Sequence, residues 1–224
     1  MTKETKTIEL KPVNLHLDSV TIKDIEDHKK IDTVALRKDL FNINKFDART
    51  NSNNFSGNPF LYHYQFNNLL KCKRQDGKTI YDIYNDKEQW DKLIDSTKKR
   101  NRGGKTAAGN VFECFRINLG SIVMFKATTA KYLYQKYNAA SVLDPTAGWG
   151  GRMLGAWSLG INYTGIDTNI EMVDAYNDMM TFLKEESGFK NALFSNDHKS
   201  KLDMIWQSAL DVDFSKIDYD FVLT

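Results

Sequence analysis

The fold is decided by one stretch of the sequence, Ser141-Val142-Leu143-Asp144-Pro145-Thr146-Ala147-Gly148-Trp149-Gly150-Gly151-Arg152, and by the segment Tyr163-Thr164-Gly165-Ile166-Asp167 that follows it. A short apolar run ends in Asp-Pro, passes through a glycine-rich turn, enters a helical segment and returns to a second apolar run. This order predicts a β-loop-α-β unit of a parallel sheet. Each of its two strands ends in an acidic residue, at the edge of the sheet where such folds bind ligands.

The glycines and the two acids together indicate what kind of ligand would fit. Gly148 and Gly150 let the backbone come close to a ligand, and amides at the start of a helix predicted over 151–159 would face a carboxylate. Asp144 can accept a hydrogen bond from an ammonium or hydroxyl group. Asp167, 23 residues later, is placed to accept from ribose hydroxyls. Acids at both strand ends disfavour a pyrophosphate, so S-adenosylmethionine fits best; the alternative is a tight turn without a ligand.

Two other nucleotide-binding patterns fail. A dinucleotide fingerprint that starts at Gly148 needs a third glycine where the chain has Met153. A phosphate-binding loop around Gly104-Lys105-Thr106 needs an earlier glycine where the chain has Lys99. Neither pattern therefore competes with the reading of the 141–152 stretch.

Composition and charge limit the class of protein. The 224 residues, 41% hydrophobic and 27% charged, suffice for one core plus a small appended region. We expect no membrane span, no secretory signal and, with only two separated cysteines, a reduced cytoplasmic setting. Residues 141–224 hold 6 Lys/Arg against 13 Asp/Glu, so the total of +2 leaves +9 for residues 1–140. This asymmetry favours a polyanion as partner of the first part, unless the acids only decorate the surface of the second.

Local patterns outside this stretch predict further elements. We expect helices over 22–41, 86–99 and 123–137, a loop over 46–60, and a turn or hairpin at 71–78. Phe60, Tyr62, Tyr64 and Phe66 are spaced by two, which fits a half-buried strand or an irregular segment. These aromatic side chains could stack on a base, although such a group more often belongs to a core.

The stretch from Asp144 to Arg152 resembles the cofactor-binding signature of amino-group DNA methyltransferases, particularly those of bacteriophages and large viruses. The resemblance covers roughly residues 105–224, and residues 1–100 carry no such motif. It implies an α/β fold with a Rossmann-like methyltransferase sheet, incomplete at the C-terminus, and an α-rich N-terminal extension. The implied domains are residues 1–104, a possible DNA-contacting region, and residues 105–224, the S-adenosylmethionine-binding part.

The resemblance also implies roles for residues. Phe125 and the helix that follows it would pack against the methionine end of the cofactor, while Ile166 and Thr168 would flank the adenine. Ser208 stands where the family usually has an Asp that binds the adenine amine, so Gln207 could supply that contact instead. The implied cofactor-binding set is Phe125, Asp144, Pro145, Thr146, Ala147, Gly148, Gly150, Ile166, Asp167, Thr168, Gln207, Ser208 and Ala209.

The catalytic residues are not within this set. Residues 219–224 have the pattern of a fourth strand, which in the family leads into an Asp/Asn/Ser-Pro-Pro-Tyr/Phe tetrapeptide that grips the target amine. We therefore expect the catalytic residues immediately after Thr224. Three explanations stay open: a truncated chain, a split gene whose second half encodes another chain, or a degenerate protein that binds only cofactor. An exposed apolar edge strand favours a missing complement.

The expected activity is methyl transfer from S-adenosylmethionine to the exocyclic amine of a DNA base, adenine more than cytosine, in the bacterial host cell if the gene is phage-encoded. DNA and a completing second chain are the expected partners; no metal site is expected. The alternatives are a non-catalytic cofactor- or DNA-binding remnant, one subunit of a split methyltransferase, or an RNA or protein methyltransferase. DNA phosphates would be contacted by the basic cluster Lys98, Lys99, Arg100, Arg102 and Lys105, unless that cluster is only a solvated helix end.

Overall fold

A computed structural model describes residues 16–47, 54–100, 105–188 and 200–224 of the chain. Its helices are α1 (Ile22–Asp27), α2 (Thr33–Lys45), α3 (Asn58–Lys71), α4 (Ile80–Asn85), α5 (Lys87–Arg100), α6 (Ala107–Leu119), α7 (Ala127–Tyr137), α8 (Gly151–Trp157) and α9 (Val173–Gly188). Its strands are β1 (Ser141–Asp144), β2 (Asn162–Asp167), β3 (Leu202–Trp206) and β4 (Phe221–Val222). Among the described helices there is no segment with the length and apolar character that a bilayer crossing requires.

The chain forms two compact units, each built from two separate segments. The first comprises Met1–His28 and Leu70–Ile122, and the second comprises Lys29–Leu69 and Val123–Thr224. In its described residues the first unit is helical, and the second contains the whole sheet. The predicted division between residues 104 and 105 lies inside the first unit, between α5 and α6.

In the part of the chain that the structure describes, the sheet has four strands in the order β3-β2-β1-β4, and all of their pairings are parallel. Leu143 of β1 lies beside Thr164 of β2 and Val222 of β4, and Thr164 lies beside Asp203 of β3. The mixed α/β class with a parallel sheet is thus confirmed. Because the chain proceeds from β1 to β2 on one side and returns to β4 on the other, the strand order reverses at β1. Ligands of open parallel sheets bind at the carboxyl ends of the strands beside such a point.

One face of the sheet is covered by α7, α8 and α9. Each helix contacts a strand: α8 lies against β2, Tyr134 of α7 meets Phe221 of β4 with 5.8 Å between ring centroids, and Tyr176 of α9 meets Trp206 of β3 at 5.4 Å. The middle helix, α8, is buried along its whole length. Its Gly155 leaves no room for a side chain, since an added Cβ would lie 2.7 Å from the Cβ of Ala130 in α7. Close approach of two helices through small residues explains why this segment is rich in glycine and alanine.

Helices α2 and α3 pack on the outside of this helical layer. The buried Lys131 Nζ of α7 donates to the carbonyls of Ile43 (2.7 Å) and Asn44 (2.8 Å) and so caps the last turn of α2. Burial lowers the pKa of Lys131 to about 8. Phe60 of α3 contacts Phe182 of α9 with centroids 5.9 Å apart. The second unit therefore has three layers: the sheet, α7–α9, and α2–α3.

The aromatic residues spaced by two form a helix, so the expectation of a strand or irregular segment was wrong. In α3 the same spacing produces pairs four residues apart on one helical face. The ring centroids are 5.0 Å apart for Phe60 and Tyr64 and 6.0 Å apart for Tyr62 and Phe66. A spacing of two is therefore compatible with a helix as well as with a strand. Packing against α9 decides between the two.

The single helix expected over 22–41 was also wrong, because two caps divide it. Thr21 accepts a hydrogen bond from the Asp24 amide to start α1, and Asp32 accepts one from the Ala35 amide to start α2.

The turn at 71–78 is present, and the Arg74 amide closes it by donating to the Lys78 carbonyl (2.8 Å). It joins α3 and α4 rather than two strands. The predicted helices over 86–99 and 123–137 are confirmed as α5 and the shorter α7.

We expect His63 to make the stability of the second unit depend on pH. Its Nδ1 accepts a hydrogen bond from the Ile31 amide (3.1 Å), and burial, assisted by Lys30, lowers the pKa of its imidazole. Between the lowered folded pKa and the unfolded value of about 6.5, the unfolded chain binds more protons. The free energy of unfolding should therefore fall as pH drops below the unfolded value. In His63→Asn, whose amide oxygen can replace Nδ1 without titrating, urea unfolding at several pH values should show a shallower decline; parallel curves would contradict this.

Candidate functional site

The candidate site is the turn between β1 and α8, at the carboxyl edge of the sheet. Gly148 has φ +58° and Gly150 has φ +87°, in the left-handed region that favours glycine. A Cβ added at Gly150 would lie 3.1 Å from Met179 and 3.5 Å from Leu61, so this position faces the interior. A Cβ added at Gly148 would have only the Thr146 carbonyl within 4 Å, at 3.7 Å. The turn is therefore packed at Gly150 and open at Gly148.

The backbone of this turn is held by the strands and helices beneath it. The Gly148 amide donates to Asp167 Oδ2 (2.8 Å) and the Ala147 amide donates to the Ile166 carbonyl (2.8 Å), which ties the turn to β2. The Tyr176 hydroxyl of α9 donates to the Gly148 carbonyl (2.9 Å). The peptide groups of Ala147 and Gly148 are thus hydrogen-bonded to β2 and α9, and these bonds fix the shape of the turn without a contribution from a ligand.

A buried polar network supports the turn from below. Asp144 has no exposed surface. Its Oδ2 accepts hydrogen bonds from Arg152 Nε (2.6 Å) and the Tyr163 hydroxyl (2.6 Å), and its Oδ1 accepts one from the Thr146 amide (3.2 Å). Arg152 also donates through Nη2 to the Thr146 carbonyl. The ion pair thus connects the end of β1, the turn and α8 in one arrangement.

The charges of this network compensate one another. Burial alone would lower the pKa of Arg152, but the hydrogen bond and charge of Asp144 raise it above its ordinary value. Burial and the nearby Asp144 raise the pKa of the Tyr163 hydroxyl far above its ordinary value, and burial with Asp144 and Asp167 does the same for Tyr176. Both phenols therefore remain neutral donors, and the carboxylate of Asp144 faces a guanidinium rather than solvent.

The two predicted acids have different environments. Asp144 is inaccessible to solvent, and in this structure it supports the turn through its hydrogen bonds. Its direct contact with a ligand stays a prediction. Asp167 is partly exposed. Each of its oxygens accepts one backbone amide, from Gly148 (2.8 Å) and from Asn169 (2.9 Å). A carboxylate has about four acceptor positions, so Asp167 retains capacity for two hydroxyl donors.

Phe125 borders the turn, and Pro145 and Thr146 form its first part. The Phe125 carbonyl lies against Gly151, where an added Cβ would come within 1.9 Å of it. The Phe125 ring lies 5.0 Å from the Arg152 guanidinium carbon. Pro145 is partly buried, and the hydroxyl of Thr146 meets that of Thr224 at 2.6 Å. That contact brings together the carboxyl ends of β1 and β4.

Two exposed apolar side chains follow the neighbouring strands. Ile170, after β2, is 70% exposed and Leu210, after β3, is 96% exposed. The predicted residues around them lie in the same two segments: Ile166 is buried, Thr168 and Gln207 are exposed, and Ser208 and Ala209 are partly buried. Ser208 Oγ accepts from the Leu210 amide (3.2 Å) and starts a short 3₁₀ turn. Sequence reasoning missed Ile170 and Leu210, whose signal was only their position after the strand ends.

The predicted basic cluster belongs to the first unit and is partly neutralised there. Lys98 Nζ pairs with Asp18 (2.7 Å), and Lys105 Nζ pairs with Glu113 (3.2 Å). Lys99 and Arg100 are exposed at the end of α5, and Arg102 lies outside the described residues. Phosphate contact by this cluster stays a prediction.

No protein-family model, curated protein or solved structure matches the chain. Within the described residues, there is no group of three or more His, Cys, Asp or Glu side chains arranged to hold a metal ion. The functional assignment therefore depends on the geometry of the turn and its rim.

Proposed function

We propose that this chain binds S-adenosylmethionine at the turn between β1 and α8 and serves methyl transfer to the exocyclic amine of a DNA base, adenine more than cytosine. Its α/β fold would then be of the Rossmann-like methyltransferase type. The observation that carries it is a preformed glycine turn, open at Gly148 and bordered by an acid with spare acceptor capacity, Asp167, at the carboxyl edge of a parallel sheet.

The residues present fit the parts of that cofactor. Asp167 has acceptor positions for two ribose hydroxyls, and the exposed Ile170 and Leu210 offer apolar surface for a purine ring. The open side of Gly148 permits close approach to the backbone. A pyrophosphate, by contrast, would meet the charge of Asp167 and no unpaired amide at Thr146, Ala147 or Gly148.

The chemistry asks little of these side chains. The bound cofactor would supply an activated methyl group on a sulfonium centre. The chain would contribute orientation: Asp167 fixes the sugar, the turn fixes the backbone contacts, and the apolar rim excludes water from the purine. Aligning two reactants in this way accounts for a large part of a transfer rate.

Gly148→Ala tests the site with little effect on folding. At φ +58° an alanine costs about 1 kcal/mol, but its methyl group would occupy the open side of the turn. We expect isothermal titration with S-adenosylmethionine to show at least roughly hundredfold weaker binding, equivalent to about 2.7 kcal/mol. The matched control is Gly77→Ala, at φ +78° in an exposed turn with nothing within 4 Å of an added Cβ. It carries comparable backbone strain and should bind like the unaltered chain.

Two results would refute this site. One is the absence of S-adenosylmethionine binding by the unaltered, folded chain. The other is equal affinity in Gly148→Ala and Gly77→Ala, because the turn would then not contact the ligand.

A second candidate is a non-catalytic cofactor- or DNA-binding protein, or one subunit of a split methyltransferase. The observation that favours it is the sheet face opposite α7–α9. There Thr164 and Ile205 line a cavity of about 520 Å³, and Val222 is 49% exposed. A further chain packed on this face would complete a two-sided sheet.

Transfer of a tritiated methyl group to unmodified DNA separates the two candidates. Incorporation of the label by this chain alone supports the first candidate. Cofactor binding without incorporation of the label supports the second.

A further inference from the structure

Phe55 is a large apolar side chain held at the surface of the second unit, where it is 56% exposed. It occupies the turn that leads into α3. The Asn58 amide donates to the Phe55 carbonyl (3.0 Å), and the Ser56 amide donates to Asn54 Oδ1 (2.7 Å). Single exposed apolar residues are common, so the exposure needs support from the surroundings before it indicates a site.

The surroundings hold this turn rigidly against α7 and α8. The Thr128 hydroxyl donates to the Asn54 carbonyl (2.8 Å). Gly57, at φ +91°, is packed so closely that an added Cβ would lie 2.9 Å from Leu154 and 3.1 Å from Ala127. The backbone that carries Phe55 is therefore fixed, so little backbone entropy remains to be lost on binding.

A cation lies over the ring, next to the candidate cofactor site. Lys126 Nζ is 4.2 Å from the Phe55 ring centroid. Lys126 directly follows Phe125, whose carbonyl abuts Gly151 at the start of α8. The neighbouring pair of Arg152 and Phe125 has the same chemistry but is turned inward, with Arg152 only 8% exposed. One ring-and-cation pair thus supports the turn, and the other faces outward beside it.

We infer that Phe55 and Lys126 form a platform for one nucleotide of the acceptor strand, with the base on the ring face opposite Lys126 and the ammonium on a phosphate of the same strand. This inference rests on the proposed function, since the platform adjoins that site. Base stacking on an aromatic ring tolerates every sequence, and a lysine provides the phosphate charge. The segment that contains Lys126, residues 123–140, holds three lysines and no acidic residue, a charge that a polyanion would balance. A protein partner would need a contiguous apolar patch, whereas Phe55 presents a single ring.

The test is fluorescence anisotropy with a short labelled single-stranded DNA, and with RNA of the same sequence as a second arm. Phe55→Ala should bind about tenfold more weakly, while Phe55→Trp, which keeps an aromatic face, should bind as the unaltered chain does. Lys126→Gln should reduce the slope of log affinity against log salt by about one. The matched control is Val34→Ala, which removes apolar surface from another exposed position of the same unit, 73% exposed in α2, and should change nothing.

The outcomes separate this inference from the proposed function. Titration with S-adenosylmethionine should give equal affinities for Phe55→Ala and the unaltered chain, because the ring does not border the turn itself. Loss of strand binding in Phe55→Ala with retention in Phe55→Trp supports the platform, and the DNA and RNA arms identify the strand. Undiminished strand binding in Phe55→Ala, or no strand binding by the unaltered chain, overturns it even if the cofactor binds.

Discussion

Gly151→Ala is expected to unfold the second unit or to lower its free energy of unfolding by more than about 4 kcal/mol. The added Cβ would lie 1.9 Å from the Phe125 carbonyl oxygen, which is backbone and cannot rotate away. Without this clash the substitution should stabilise the protein, because alanine inside a helix is about 1 kcal/mol more favourable than glycine. Thermal unfolding followed by circular dichroism would measure the loss.

The control for this substitution is Gly77→Ala, which adds the same methyl group where nothing lies within 4 Å. Its cost should be limited to backbone strain at φ +78°, about 1 kcal/mol. A Gly151→Ala protein as stable as Gly77→Ala would show that the segment preceding α7 does not lie against the start of α8.

Arg152→Met is the second large expected effect. It removes the guanidinium that faces Asp144, a carboxylate with no exposed surface. Removing one partner of a buried ion pair costs about 3–5 kcal/mol, because the remaining charge is left uncompensated. The Tyr163 hydroxyl would still donate to Asp144, but a neutral donor does not replace the charge. Urea unfolding would report the loss as a lower midpoint.

A second substitution shows whether the buried charge is the cause. In the double variant Arg152→Met with Asp144→Asn, the charge is removed as well, and more than half of the lost stability should return. Lys87→Met, which breaks the exposed pair with Asp91, should have no measurable effect. If the double variant is less stable than Arg152→Met alone, the carboxylate stabilises the fold by hydrogen bonding and the electrostatic explanation is wrong.

Several features of the fold were predictable because they depend on neighbours in the sequence. The apolar runs before Asp144 and Asp167, separated by a glycine turn and a short helix, favour two parallel strands joined by a helical crossover. The caps at Thr21 and Asp32 are also local, and they could have divided the predicted helix over 22–41. The aromatic residues of α3 are a different case. Their spacing satisfies both a strand and a helix, and contacts such as Phe60 with Phe182 decide between them.

The sequence by itself determined that acids end two adjacent strands and that glycines turn between them, because strand ends and turn residues are local properties of the chain. Only the tertiary structure decided what each acid does. Asp144 is enclosed by Arg152 and Tyr163, while Asp167 keeps exposed acceptor positions. Burial depends on which side chains from α8, α9 and β2 converge on one point, and residues far apart in the sequence supply them. The position of Phe55 beside Lys126 has the same origin, since 70 residues separate them in the chain.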